Sequence, residues 1–263
     1  MKKPEPRAYD ASVVRVRGLR VRIRVEGEGE PLLLLNGLTR PLESWGPFTQ
    51  ALSGRTIVSF DTPGVGRSPT PILPLSIAAL ARLAASVLDE AGLGSADVVG
   101  FSHGGAVAQQ LTVQAPGRVR RLVLVSTSCG VGATPGSQDA LRGPRTTAEA
   151  RSWPRPDVVG TLWHSLAISS WSSIPFLGAI RAPTLVVCGV HDRVVPAVNS
   201  AVLARRIPDA DLVMLPAGHD LQRSGAARAL AGTVEPFLAA GPSTTHRQPS
   251  KAPAQDREVH DNA

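Results

Sequence analysis

Hydrophobic and polar positions change pattern several times along the chain, and each pattern predicts a type of element. Residues 19–25 alternate strictly between aliphatic and arginine side chains, which predicts a strand paired with residues 13–17 in a hairpin around Gly18. Further along, short uninterrupted apolar runs are typical of buried strands. These runs occupy residues 31–35, 56–60, 96–100, 122–126, 183–188 and 212–215.

Helical segments alternate with these strands. The clearest one spans residues 75–91, is rich in Ala and Leu, and has Ser76 as a candidate N-cap and Gly92 as a stop. The alternation of strands and helices predicts an α/β fold, a doubly wound and mostly parallel sheet covered by helices on both faces. The other predicted helices lie at residues 44–52, 104–114, 197–206 and 226–239.

The length of 263 residues and the hydrophobic content of 43% fit one domain with a substantial core. We expect this domain over residues 13–240, preceded by an N-terminal arm at 1–12. A stretch rich in Gly, Pro, Ser and Trp, about residues 128–180, interrupts the alternation and predicts a short lid insertion. Residues 241–263 have almost no large aliphatic side chains, which predicts a disordered tail.

The net charge of +7 is concentrated near the N-terminus, where residues 1–24 contain eight basic and two acidic side chains. The alternation places Arg20, Arg22 and Arg24 on one strand face, so the first interpretation is the solvated outer face of an edge hairpin. Because the excess positive charge is confined to this short segment, it argues against a nucleic-acid partner. The second interpretation is peripheral contact with an anionic granule or membrane surface.

Cysteine content and apolar segments indicate a cytoplasmic protein. The two cysteines are too few for a disulfide framework, and Cys188 lies in an apolar run, which is typical of a buried side chain. The basic N-terminus has no apolar segment behind it, unlike a signal peptide. No apolar run approaches the ~20 residues that span a bilayer. The oligomeric state stays open.

The motif Gly100-Phe101-Ser102-His103-Gly104 is the most informative stretch of the chain. It lies between a predicted strand and a predicted helix, the context in which G-x-S-x-G forms a sharp turn that exposes its serine at the carboxyl edge of the sheet. Glycine on both sides leaves room for the strained backbone of that turn. Ser102 is therefore the candidate nucleophile.

A serine hydroxyl becomes an effective nucleophile when a base removes its proton and a third group orients that base. Asp192 follows the strand at 183–188 and His219 follows the strand at 212–215, so both are expected at the edge that carries Ser102. The order Ser, Asp, His is the one expected on this type of sheet. His191 is a weaker candidate for the base, because it adjoins Asp192 and comes one strand too early.

Two backbone N–H groups are candidates for an oxyanion hole, those of His103 and Leu38. His103 directly follows the nucleophile, and Leu38 lies in the loop after the strand at 31–35. Residues 61–68 could suggest a phosphate loop, but they lack its G-K-[ST] ending and are better interpreted as a structural turn. No His and Cys spacing suggests a metal site, and no cofactor is expected.

With these residues in place, residues 17–240 resemble the α/β-hydrolase superfamily. Within it, the chain is similar to the intracellular poly(3-hydroxyalkanoate) depolymerases of the medium-chain-length type. The similarity rests on residues 31–37, 60–66, 104–110 and 171–208. It implies a serine esterase that acts on esters of 3-hydroxy fatty acids, polymeric or oligomeric, through Ser102, Asp192 and His219.

Two departures from that family bear on the substrate and on the base. The segment between Ser128 and Trp171 is shorter than that family's lid, and the lid shapes the acyl pocket. Asp220 stands where the family tends to carry an aliphatic residue. Its carboxylate could compete for the hydrogen bond of the neighbouring His219 base, or it could point to solvent and cap the following helix.

Alternative functions remain open at this point. The nearest is a general carboxylesterase or lactonase on small apolar esters, which a shortened lid would suit. A hydrolase of carbon–carbon bonds in β-diketones would use the same triad. From a different class, a non-catalytic binding protein on the same scaffold would hold an apolar ligand beneath the lid.

Overall fold

A computed structural model describes residues 9–137, 153–223 and 225–240. Its centre is an eight-stranded sheet of order β1-β2-β4-β3-β5-β6-β7-β8, in which β1, β2 and β4 pair antiparallel and the other neighbours pair parallel. The doubly wound, mostly parallel sheet expected from the sequence is confirmed. The strands are β1 (Tyr9–Val16), β2 (Leu19–Glu26), β3 (Glu30–Leu35), β4 (Arg55–Phe60), β5 (Ala96–Phe101), β6 (Val119–Val125), β7 (Thr184–Gly189) and β8 (Ala210–Leu215).

Helices cover both faces of this sheet. The first face packs against α2, α3 and α5, and the second against α1 and α6, so each face has its own apolar cluster. As predicted, Ser76 caps α2 by accepting a hydrogen bond from the Ala79 N–H. The helices are α1 (Gly46–Thr49), α2 (Ile77–Glu90), α3 (His103–Gln114), α4 (Val158–Ser169), α5 (Ala197–Arg206) and α6 (Ala227–Ala239), with a 3₁₀ turn at Leu42–Trp45 before α1.

The N-terminal hairpin forms around Gly18 as predicted. Arg17 and Gly18 both have positive φ, 50° and 80°, which is the geometry of a two-residue type I′ turn. Strand β1 starts at Tyr9, so residues 9–12, which the sequence assigned to an N-terminal arm, belong to the sheet. Residues 1–8 of that arm lie outside the described residues, as does the predicted tail at 241–263.

One prediction about this hairpin is wrong. Arg22 does not share a solvated face with Arg20, because its side chain is buried against the segment before α1 and the loop after β4. Its guanidinium lies 2.7 Å from Glu43 and 3.2 Å from Asp61. Burial raises the pKa of the Asp61 carboxyl above its usual value, against the opposing effect of hydrogen bonds from the N–H groups of Arg67 and Leu42.

Replacing Arg22 by methionine should therefore destabilise the fold by about 3–5 kcal/mol, because it leaves two carboxylates together without their counter-ion. The matched control is Arg20→Met, two positions away on the same strand but exposed, which should change stability by less than about 0.5 kcal/mol. Urea denaturation of both variants measures the difference. Equal denaturation midpoints would show that the pairing of Arg22 with Glu43 and Asp61 does not stabilise the fold.

The described part of the predicted lid contains one regular helix, α4. This helix packs on the loop that follows β4. His164 Nε2 lies 2.9 Å from the Pro63 carbonyl oxygen, and the Trp163 indole N–H donates to the Pro71 carbonyl at 3.3 Å. Residues 138–152 of the lid lie outside the described residues. None of the described helices combines the length and apolar character needed to cross a bilayer.

Candidate active site

Ser102 occupies the sharp turn between β5 and α3. Its backbone angles are φ 51° and ψ −117°, a strained conformation for a residue with a side chain. The turn is held at both the N–H and the carbonyl of Ser102, since the Ser102 N–H donates to the Val125 carbonyl at 2.9 Å and the Thr127 hydroxyl donates to the Ser102 carbonyl at 2.7 Å. The neighbouring strand β6 and its loop thus fix the serine in place.

The glycines of the motif are required by close backbone contacts. A Cβ at Gly100 would lie 2.6 Å from the Gly104 carbonyl oxygen and 2.7 Å from the Ala108 Cβ, and one at Gly104 would overlap the carbonyl of Leu35. Helix α3 can therefore pack this closely against the ends of β5 and β3 only with glycine at these positions. This contact brings the loop after β3 to the nucleophile.

The three side chains expected to react lie in hydrogen-bonding contact. His219 Nε2 is 3.2 Å from the Ser102 hydroxyl, and His219 Nδ1 is 2.8 Å from Asp192 Oδ2. Such a chain allows the Ser102 hydroxyl to donate to Nε2 while the Nδ1–H donates to the carboxylate. The Phe101 ring packs against the imidazole with the two centroids 5.0 Å apart.

Asp192 is held rigidly behind the histidine. Its side chain is fully buried, and its Oδ1 accepts hydrogen bonds from the N–H groups of Val194 and Val195 at 2.9 and 2.8 Å. Only Oδ2 then faces the His219 ring. The carboxylate therefore has one orientation, and that orientation fixes the imidazole.

The loops meet because β5, β6, β7 and β8 are consecutive parallel neighbours whose carboxyl ends lie at one edge. The alternative base, His191, is exposed, and its backbone N–H donates to the Ala217 carbonyl at 3.0 Å. That bond ties the loop after β7 to the loop after β8. The His191 backbone thus helps to position the two loops, while His219 supplies the ring that contacts Ser102.

The two candidate oxyanion donors border the serine. A Cβ at Gly37 would lie 3.3 Å from the Ser102 Cβ, so the loop carrying Leu38 passes directly over the nucleophile. A turn shapes this loop, with Thr39 at φ 60° and the Arg40 N–H donating to the Gly37 carbonyl at 3.1 Å. Within the described residues, neither the Leu38 N–H nor the His103 N–H donates to another protein group.

The ring of His103 points away from this chemistry. It is buried and packs edge-to-face on the ring of His164 from α4, with centroids 5.0 Å apart. Burial, with a smaller contribution from His164, lowers the pKa of His103 to about 3. The ring is therefore neutral at physiological pH, and it joins the lid helix to the serine turn.

Asp220 has partners that neither sequence interpretation anticipated. Both of its oxygens lie 2.9 Å from Arg40 Nη2, and Oδ2 lies 3.3 Å from Arg223 Nη1. Both guanidiniums lie over the Trp153 ring, at 5.8 and 5.0 Å from its centroid. Asp220 thus neither faces solvent alone nor caps α6, which has Ala226 at its N-cap.

In residues 9–137, 153–223 and 225–240, no group of three or more His, Cys, Asp or Glu side chains is arranged to hold a metal ion.

Comparison with known families gives the lineage. The family model for the alpha/beta hydrolase fold matches residues 30–142 and 150–226, which include Ser102, Asp192 and His219. The chain belongs to the alpha/beta hydrolase family. This hydrolase is 35% identical over 219 residues to a poly(3-hydroxyalkanoate) depolymerase of Ectopseudomonas oleovorans, covering 72% of this chain and 77% of that protein.

Other relatives of this hydrolase carry different names. It is 30% identical to a 2-hydroxymuconate semialdehyde hydrolase of Pseudomonas putida, covering 84% of this chain and 92% of that protein. Among solved structures, an enol-lactonase from Burkholderia xenovorans LB400 superposes with a TM-score of 0.79 at 25% identity, covering 87% of this chain and all of that one. The family resemblance expected from the sequence and the expectation of a hydrolytic enzyme are both confirmed.

Proposed function

We propose that this hydrolase is a serine esterase that cleaves the ester bonds of poly- or oligo-3-hydroxyalkanoates. The observation that carries the proposal is the continuous contact from the Ser102 hydroxyl through His219 to the buried Asp192. The substrate class is inferred from the depolymerase relative, which is 35% identical.

In the proposed reaction Ser102 Oγ attacks the ester carbonyl while His219 Nε2 takes its proton. Asp192 holds the Nδ1–H and stabilises the imidazolium that forms. The negative oxygen of the tetrahedral intermediate accepts hydrogen bonds from the N–H groups of Leu38 and His103. His219 then protonates the leaving alcohol. When the alcohol departs, the acyl group remains esterified to Ser102 as the acyl-enzyme.

Water completes the cycle. His219, neutral again, removes a proton from water as it attacks the acyl-enzyme, and Ser102 leaves with that proton. The product is a 3-hydroxy acid. These steps use side chains, backbone N–H groups and water, and the same residues serve both halves of the reaction.

A second candidate is hydrolysis of small apolar esters or lactones, which the likeness to the enol-lactonase favours. A hydrolase of carbon–carbon bonds would use the same three side chains. These reactions differ from the proposed one in the acids they release. They do not differ in the role of Ser102.

A substrate panel decides between the polymer proposal and the second candidate. We expect 3-hydroxy acids, measured by chromatography, to be released from polymer granules and oligomers at a higher kcat/KM than acids from short p-nitrophenyl esters or lactones. Ser102→Ala enzyme is the blank. Faster cleavage of the short esters, with no release from polymer, would reject the polymer proposal in favour of the second candidate.

The cytoplasmic location predicted from the sequence, and peripheral contact with an anionic granule or membrane, belong to this proposal. Since Arg22 is buried, such contact would rest on the exposed arginines at the hairpin tip, Arg15, Arg17 and Arg20. Binding to anionic vesicles should then weaken steeply with salt and fall when these three become glutamine. Equal binding by the variant and the wild type would remove the contact from the proposal.

A further inference from the structure

We propose that Arg40 and Asp220 are positioning residues that hold the loop carrying the oxyanion donor Leu38 in register with the loop carrying the base His219. This inference rests on the proposed function. It assigns a role to four residues outside the triad: Arg40, Trp153, Asp220 and Arg223, here called the loop clamp.

The loop clamp joins distant parts of the chain. Arg40 follows β3 and Asp220 follows β8, 180 residues apart. One nitrogen, Nη2, contacts both carboxylate oxygens at 2.9 Å. The two side chains are 19% and 29% exposed, so the pair is largely withdrawn from water and stronger than a fully solvated ion pair.

Each member of the pair sits next to a group that the reaction needs. Arg40 is two residues after Leu38, in the turn closed by its own N–H on the Gly37 carbonyl. Asp220 is joined directly to His219. Because both segments are short, the ion pair sets how far the Leu38 N–H lies from the imidazole.

That separation matters in the transition state. The negative oxygen rests near Leu38 while the proton moves between Ser102 and His219, so both loops must be correctly placed at once. A displacement of about 1 Å can cost a hundredfold in rate. Because we assign the ion pair to the placement of these two loops, a fault in the pair should affect kcat more than KM.

Trp153 and Arg223 reinforce the pair. Arg223 Nη1 donates to Oδ2, one of the two Asp220 oxygens that Arg40 contacts, and both guanidiniums lie over the Trp153 ring. Trp153 belongs to the predicted lid. The clamp thus also attaches the lid to both catalytic loops.

The test compares Asp220→Asn, Arg40→Met, the double variant and Arg40→Lys. We expect Asp220→Asn and Arg40→Met, which each remove one charge of the pair, to lose about tenfold in kcat with KM within about twofold. The double variant should also lose about tenfold, because the pair acts as a unit. Arg40→Lys should keep kcat within about threefold, since a single nitrogen makes both contacts. Asp209→Asn and Arg205→Met, both exposed, are the controls.

Hydrogen exchange gives a readout that does not depend on turnover. Amides of residues 37–40 and 216–222 should exchange faster in Asp220→Asn than in the wild type, with other segments unchanged. Unchanged exchange, wild-type kcat in both single variants, a loss confined to KM, or losses that multiply in the double variant would each overturn the positioning role. Failure of the proposed function has a different signature: wild-type enzyme without ester turnover or fluorophosphonate labelling.

Discussion

Replacement of Ser102 by alanine should lower kcat for ester hydrolysis by about 10⁵-fold or more, the loss seen when a triad nucleophile is removed. The reason is that, in the part of the chain that the structure describes, Ser102 supplies the hydroxyl in contact with His219 Nε2, and alanine leaves no hydroxyl there to form the acyl-enzyme. The loops after β7 and β8 do not depend on the serine hydroxyl, so the fold should be unchanged. Single-turnover and steady-state rates with a 3-hydroxyacyl ester measure the effect.

The matched control is Ser53→Ala. Ser53 is exposed and lies just before β4, at the amino edge of the sheet opposite the site, so this variant should hydrolyse at the wild-type rate. Thermal denaturation of both variants checks the fold. Substantial turnover by well-folded Ser102→Ala enzyme would mean that hydrolysis occurs at another group.

Asp192→Asn should lower kcat by about 10⁴-fold while leaving substrate binding nearly unchanged. Two backbone N–H groups face Oδ1, so an asparagine must turn its carbonyl oxygen toward them and its NH₂ toward His219. The NH₂ group then donates to Nδ1, which moves the ring proton to Nε2. An imidazole with its proton on Nε2 cannot accept the proton of Ser102.

Asp209→Asn serves as the control for the Asp192 variant, because Asp209 is exposed before β8 and away from the imidazole. Rates from pH 6 to 9 should show the loss in Asp192→Asn at every pH, since the tautomer does not depend on bulk pH. A loss of less than about tenfold would show that Asp192 does not govern the tautomer of His219.

The sequence was sufficient for the element order and for the placement of the candidate site. Buried parallel strands appear as apolar runs, and functional side chains follow where those runs end, so Ser102, Asp192 and His219 could be assigned to one edge. The structure brings these side chains into contact. Their catalytic roles stay predictions until they are measured.

The sequence did not reveal which side chains pair with each other across the fold. Alternation showed that Arg22 lies on the strand face opposite Val21, but not that Glu43 and Asp61 cover that face. The pairing of Asp220 with Arg40 joins residues that have no local relation. The i, i+3 spacing of Asp220 and Arg223 was visible, yet it did not indicate that the Arg40 and Arg223 guanidiniums both lie over Trp153.

The identity of the nucleophile is tested most directly by locating the serine that becomes covalently modified. Wild-type enzyme is incubated with a fluorophosphonate, digested and analysed by peptide mass spectrometry. We predict one adduct per chain, on the peptide containing Ser102, with its formation strongly slowed in His219→Ala. An adduct on a different residue, or labelling that persists in Ser102→Ala, would show that Ser102 is not the nucleophile.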